Sequence, residues 1–462
     1  MATLVMKFGG SLTSDTKRLS RVAQVIMAES LAWQRMVVVV AAMSAVTDSF
    51  AQAIELAAGH NAAGYRRVVA EIRDRHLDLL RPLIKKTELR ESVITQLDRV
   101  LRNVLAACDR AFTQREATPR DRDLAMAAGE QMMVAIVTAL VRQEGLRAAT
   151  VEAESLIVTD DSHHSAHPIN DLIDERADRL LRPMLDAGIV PIIAGFIGAT
   201  KTGVITTLGR GGSDYTATLL AASLRADEVW IWTMVDGIMS ADPQLIPGAQ
   251  VIPTLSYEEV SELSYFGARI LHPRTVEPLQ SLGIPLRVRN PFNLDHAGTL
   301  IQAQSDAAAK ITTVKAVTAV DGLCLYTNDK PIDLGEFLGR VHRLVGKTVT
   351  GPVIAVQSHF KSTLVFVVPT SEGPNAVANA AQRLSASLSG WEVIPAKVIA
   401  MMGTGQVTET ALLSYMRPLA SAVGPGDRQI LCVSPADAQL AVRQLHKLTE
   451  QSETQVWPPV SR

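Results

Sequence analysis

The chain has 462 residues, which at roughly 100–200 residues per domain favours two to four domains and excludes a single small module. Hydrophobic residues make up 47% and charged residues 20%, enough for packed cores and too apolar for long disordered tails. Lys+Arg number 45 against Asp+Glu 47, a formal net charge of −2, so no electrostatic case arises for a nucleic-acid partner or an anionic membrane, and a small molecule is the default partner.

TLVMKFGG at the N-terminus predicts a strand and a glycine turn, residues 15–33 a helix, and residues 36–42 (MVVVVAA) a buried parallel strand ending in the polar loop MSAVTD. Two loops thereby reach one sheet edge. The opening has no charged segment followed by an apolar one and a cleavage site, and no run of about 18 or more uncharged apolar residues occurs. Cys108, Cys324 and Cys432 lie far apart without a CxxC pair, which argues against a disulfide framework and a zinc site. A cytoplasmic protein with no membrane partner and no resident metal is expected. From about 50 to 144 the pattern is helical throughout. Strand-like pieces return at AATVE, VPIIAGFIGA, EVWIWTMV and LGIPLRVRN, and this alternation implies a sheet covered on both faces.

A polar, alanine-rich stretch near 302–310 marks a domain boundary. Beyond it, two shorter βαββαβ units of the ferredoxin-like kind are expected. The first runs from KAVTAVDGLCLYT through a helix at DLGEFLGRVHRLV, then VIAVQSHF, STLVFVV and a helix at NAVANAAQRLSASL. The second runs from AKVIAMMG through a helix at ETALLSYMRPLASAV, then RQILCVS and the helix ADAQLAVRQLHKL.

Three local patterns point to chemistry. LGRGGSDYTAT, at 208–218, precedes a long apolar helix. Its glycines 209, 211 and 212 permit positive φ, and the helix N-terminus adds a partial positive charge, which together make an anion cradle. Arg210 can hold a carboxylate, while Ser213 and Asp214 can cap the helix; an ordinary capped turn is the plainer alternative. KFGGS sets the Lys7 ammonium beside the backbone of Gly9, Gly10 and Ser11, a clamp for phosphoryl oxygens or simply a lysine on a turn; it is not a P-loop. Glu130 interrupts the apolar face of MAAGEQMMVAIV, where an unpaired carboxylate would cost several kcal/mol, so it either faces a polar site with an amino group as partner or solvates a helix end.

Taken in order, KFGGS, VVVVAAMSAVTD, GRGGSDYTAT, WTMVDGIMSADP, ELSYFGARILHPRT and RNPFN resemble the aspartate kinases of the amino acid kinase superfamily, over nearly the whole chain. The resemblance implies a three-layer αβα sandwich over 1–302, followed by a tandem ACT region over 303–462. The two ACT units would cover about 311–388 and 389–462, with interleaving left open. It implies phosphorylation of the β-carboxylate of L-aspartate by ATP with Mg2+, to 4-phospho-L-aspartate, at the head of lysine, threonine and methionine synthesis. Lys7 would bridge the phosphoryl group, oriented by Asp214; Thr47, Glu130, Arg210 and Ser213 would hold aspartate. Gly9, Gly10, Ser11, Thr233, Val235, Asp236, Gly237, Asp242 and Arg269 would hold the nucleotide. Lysine or threonine would be the effector, and a homodimer or larger homo-oligomer the assembly, with Phe366 and Val368 on a strand face that carries either the interface or the core. Four positions depart from the family pattern, all on the nucleotide side: Ala41, Met234, Gln244 and Arg269. They leave open a non-catalytic, amino-acid-binding paralogue as the alternative.

Overall fold

Every side chain of β1 (Thr3–Phe8) is buried, because the strand lies in the middle of a sheet with helices on both faces. The computed structural model describes residues 1–267, 271–303, 314–327, 332–357, 361–369, 373, 375–403, 418–423 and 429–449. After β1 come α1 (Thr16–Ala32), β2 (Arg35–Val40), α2 (Val46–Ala58), α3 (Ala62–Leu83), α4 (Thr87–Gln114) and α5 (Pro119–Gln143). Then follow β3 (Ala148–Val151), β4 (Val158–Thr159), α6 (Asn170–Asp186), β5 (Val190–Ala194), β6 (Ile197–Thr200), β7 (Ile205–Thr207), α7 (Gly212–Leu224) and β8 (Glu228–Trp232). The first part ends with β9 (Thr254–Ser256), α8 (Tyr257–Tyr265), α9 (Glu277–Gln280), β10 (Leu286–Arg289) and β11 (Thr299–Gln302).

The main sheet has the order β3-β5-β2-β1-β8-β10-β11-β9. Strands β3 to β10 in that order run parallel, and β11 turns back antiparallel to β10. Helices α1 to α5 pack together on one face, and α6, α7 and α9 on the other. The apolar run 36–42 belongs to a strand buried on both faces, which is why it shows no alternation. α5 is long and apolar enough to cross a membrane, yet 83% of its apolar window is buried inside the protein, where it meets β3, β5 and the helices around it. VPIIAGFIGA, expected as one strand, is broken: Phe196 takes φ +71°, and β6 joins β4 and β7 in a separate three-stranded sheet.

The C-terminal part contains β12 (Val314–Thr327), α10 (Leu334–Val345), β13 (Pro352–Gln357), β14 (Ser362–Val367), α11 (Ala376–Ser387), β15 (Glu392–Gly403), β16 (Ala420–Val423), β17 (Gln429–Val433) and α12 (Ala438–His446). Its strands form one antiparallel sheet, β13-β14-β12-β15-β17-β16. β12 and β15 pair along their whole length, so both contribute to two cores. Leu323, Phe366 and Leu384 pack in one with α10 and α11; Val317, Ile399 and Leu445 pack in the other with α12. A division at 388/389 therefore cuts the chain but not the sheet. Phe366 and Val368 lie in the helix-covered core, so the face they occupy is interior. Residues 420–423, expected at the end of a helix, are β16. Pro418 cannot donate to a helical ladder, and the Leu419 amide instead donates to the Cys432 carbonyl at 2.7 Å. The remainder of that expected helix, residues 409–417, lies outside the described residues.

Candidate active site

The site is built at the carboxyl edge of the parallel strands, where β1, the centre of the sheet, meets β2 on one side and β8 on the other. Lys7 sits inside β1 with its side chain almost entirely buried, and its Nζ lies 2.5 Å from Asp214 Oδ1 in the first turn of α7. Two strand-end loops are locked together here. A side chain on Gly10 would start 2.8 Å from the Ala42 carbonyl, and the Thr13 hydroxyl donates to that same carbonyl at 3.0 Å. A side chain on Gly9 would start 3.5 Å from Lys7 Nζ, an ordinary contact, and the Gly9 amide donates to the Trp232 carbonyl at the end of β8.

The 208–214 turn closes the other wall. Gly209 and Gly211 have φ +77° and +72°, the left-handed region that glycine adopts without steric cost. A side chain at Gly211 would start 2.6 Å from His272 Cβ, and one at Gly212 would meet the Phe196 ring at 2.7 Å. Only glycine fits these close approaches, and the Gly212 amide donates to the Gly209 carbonyl at 3.0 Å, so the turn is held tightly at the positive end of α7, where an anion is favoured. Burial, with Arg274 and Arg210 nearby, holds the His272 imidazole below its ordinary pKa.

A cavity of about 240 Å³ collects Lys7, Thr47, Glu130, Arg210, Ser213 and Asp214, together with Phe196. All six residues expected around aspartate and the transferred phosphoryl group thus come from five separate elements into one space. Glu130 reaches it from the middle of α5. It is buried, its Oε2 has no partner, and burial pushes its carboxyl up to about 8 against the pull of the Ala42 amide, its own amide and Lys7. Phe196 was not singled out from sequence; the signal was the glycine on either side of it in GFIG.

The nucleotide-side residues take a second position, beyond Lys7 at the ends of β8 and β10. The Thr233 amide donates to the Arg289 carbonyl, and the Asp236 carboxylate accepts from Asn290 Nδ2 at 2.7 Å and Asn293 Nδ2 at 2.9 Å. Gly237 is pressed against Val251 and Thr299, while Asp242 is exposed and accepts from the Gln244 amide. Met234, Val235 and Phe292 form an apolar, partly exposed rim beside Asp236. Ser11 sits in the short 3-10 turn after Gly9, where its carbonyl accepts from Arg18. Of this set only Lys7 also lines the cavity, and Arg269 lies outside the described residues.

Residues 2–290 match the sequence profile of the amino acid kinase family. A chloroplastic bifunctional aspartokinase/homoserine dehydrogenase 2 of Arabidopsis thaliana is 33% identical over 413 residues, covering 86% of this chain and 44% of that protein. The chain spans about half the length of the curated relatives it matches. Among solved structures, E. coli aspartokinase III in complex with aspartate and ADP superposes with a TM-score of 0.79 at 25% identity, covering 97% of this chain and 100% of that one. The same enzyme in complex with lysine and aspartate gives 0.78 at 25% identity, over 96% and 99%.

Proposed function

Since this chain belongs to the amino acid kinase family, we propose that it is an aspartate kinase, transferring the γ-phosphoryl group of Mg-ATP to the β-carboxylate of L-aspartate. The observation that carries this reading is the Glu130 carboxyl, buried, unpartnered on Oε2 and in one cavity with Arg210 and Lys7. An unsatisfied buried carboxyl oxygen is costly and calls for a cationic or hydrogen-bonding ligand. The substrate α-ammonium supplies one. Arg210 takes the α-carboxylate as a bidentate partner, and Thr47 and Ser213 offer hydroxyls. Held at both ends of its α-carbon, aspartate directs its β-carboxylate toward Lys7.

An oxygen of that carboxylate then attacks the γ-phosphorus, the bond from phosphorus to the bridging oxygen breaks, and ADP leaves with the electron pair. Lys7 neutralises charge spread over the transferring oxygens, and Asp214 holds its ammonium in place. The positive end of α7 adds to that field. The neighbour with ADP and aspartate bound supports the same pairing of substrates, and Lys7, a group needed for transfer and not for amino-acid binding alone, held by Asp214, favours a catalyst over a binding paralogue.

We place lysine ahead of threonine as effector, because the superposable neighbour binds lysine. A homodimer is the assembly proposed, to be measured by light scattering. The decisive assay for the activity is aspartyl hydroxamate formation with L-aspartate, Mg-ATP and hydroxylamine. Colour with the wild type and none with Glu130→Gln is expected. No hydroxamate from folded protein at millimolar substrates overturns the reading.

A further inference from the structure

Asp123 lies on α5 seven residues before Glu130, two turns away and on the same helix face. It is completely buried and touches nothing in the cavity, yet its carboxylate is saturated with donors. His163 Nδ1 lies 2.6 Å from Oδ2 and His164 Nδ1 2.9 Å from Oδ1. The His164 amide donates at 3.2 and 3.3 Å, and the Thr207 hydroxyl donates at 2.7 Å. Such saturation is what a buried carboxylate needs, but these donors are not a random set.

Thr207 is the last residue of β7, three positions before Arg210, and its carbonyl accepts from the Ala166 amide at 2.9 Å. The His164 carbonyl lies 2.9 Å from where a side chain on Gly209 would begin. His164 itself takes φ +68°, a conformation unfavourable for a side-chain-bearing residue, and is held there by two groups of its own on Asp123. Three segments, α5, the end of β7 and the 160–168 turn, therefore converge on one carboxylate. What they enclose is the backbone that carries Arg210. Arg210 is exposed, so its aim is inherited from that backbone.

We propose that Asp123 is a positioning residue for the amino-acid substrate, acting through Thr207 and the 163–164 turn to fix the direction of Arg210. The proposal rests on the aspartate kinase reading for its kinetic test only. Asp123→Asn should raise the aspartate KM at least tenfold while leaving the ATP KM within twofold and kcat within threefold. In an Arg210→Ala background the same change should alter the aspartate KM by less than twofold, since the contact it acts through is gone. Thr207→Val, a gentler change that removes one donor, should raise the aspartate KM at least threefold and lose its effect in the same background.

A merely structural role for Asp123 gives a different result: both KM values move, and the Asp123→Asn effect persists undiminished beside Arg210→Ala. That outcome overturns the proposal. A second readout needs no substrate. Amide hydrogen exchange at 208–212 should be at least tenfold faster in Asp123→Asn and Thr207→Val, with β1 and α4 unchanged; unaltered exchange there also overturns it. Wild-type protein that phosphorylates no aspartate would defeat the functional reading instead, and the exchange measurement would still decide this one.

Discussion

If Glu130 takes the substrate α-ammonium as proposed, binding is a pH-dependent event whose sign follows from its surroundings. Its carboxyl is raised to about 8, first by burial, so the empty cavity at neutral pH holds it mainly in the protonated form. At pH 7 the protonated form outnumbers the carboxylate by roughly ten to one, and at pH 6 by roughly a hundred to one. An α-ammonium pairs with the carboxylate alone. The apparent aspartate affinity therefore carries a factor of one plus the protonated-to-ionised ratio, which shrinks as pH rises. Between pH 6 and pH 8 the dissociation constant should fall about fiftyfold, close to 1.36 kcal/mol per pH unit below the pKa. Binding at pH 7 should release about nine-tenths of a proton.

Titration calorimetry of aspartate at pH 6, 7 and 8, in two buffers of different ionisation enthalpy, reads both quantities. Glu130→Gln is the control. An amide cannot ionise, so its affinity should be weak and flat across this range, with no proton released. A wild-type dissociation constant that stays within twofold from pH 6 to pH 8, with no buffer dependence of the heat, would show that Glu130 is already ionised in the empty site and would refute the reasoning.

Lys7→Ala should lower kcat by about two to three orders of magnitude, because a positioned charge facing the transferred group is lost, and should also weaken the calorimetric aspartate affinity, since the β-carboxylate faces the same ammonium. Arg210→Ala should weaken aspartate binding roughly tenfold to a hundredfold, the worth of a charge-assisted bidentate contact, and leave nucleotide binding unaltered in the same titration. Phe366→Ala removes a ring buried between the C-terminal sheet and its helices and should cost about 3–5 kcal/mol, read as a lowered melting transition. Val356→Asp, on the half-exposed part of β13, should leave that transition in place.

The convergence of Lys7, Glu130, Arg210 and Asp214 on one cavity was legible because its signals are local. A lysine before two glycines, a glycine turn before an apolar helix and one acid in an apolar helix face each state their own chemistry. The sheet then only has to bring together loops that the strand and helix order already sends to one edge. Phe196 was hidden inside what reads as a continuous apolar strand; its left-handed backbone is imposed by the turn beneath Gly212, a contact between residues 16 apart. Asp123 was hidden for the opposite reason. It looks like an ordinary charge on a helix, and only the fold reveals that residues 40 and 84 positions away donate to it.

The nucleotide side was less legible because its conformation is supplied from a distance. Asp236 is held by Asn290 and Asn293, from the loop after β10. A few residues on, the same segment leaves the first part of the molecule altogether. Ala241 and Ile246 are core residues of the unit built around α12, the Val317 amide donates to the Ser240 carbonyl at 2.8 Å, and Ser240 Oγ lies 2.8 Å from His446 Nε2 in a buried contact. A boundary drawn at 302 from composition separates in sequence what packing joins in space. Substitutions such as Met234 and Gln244 therefore act on a segment with two anchors, one on the main sheet and one in the C-terminal core. Their effect on the nucleotide depends on both anchors, which no reading of WTMVDGIMSADPQ alone could include.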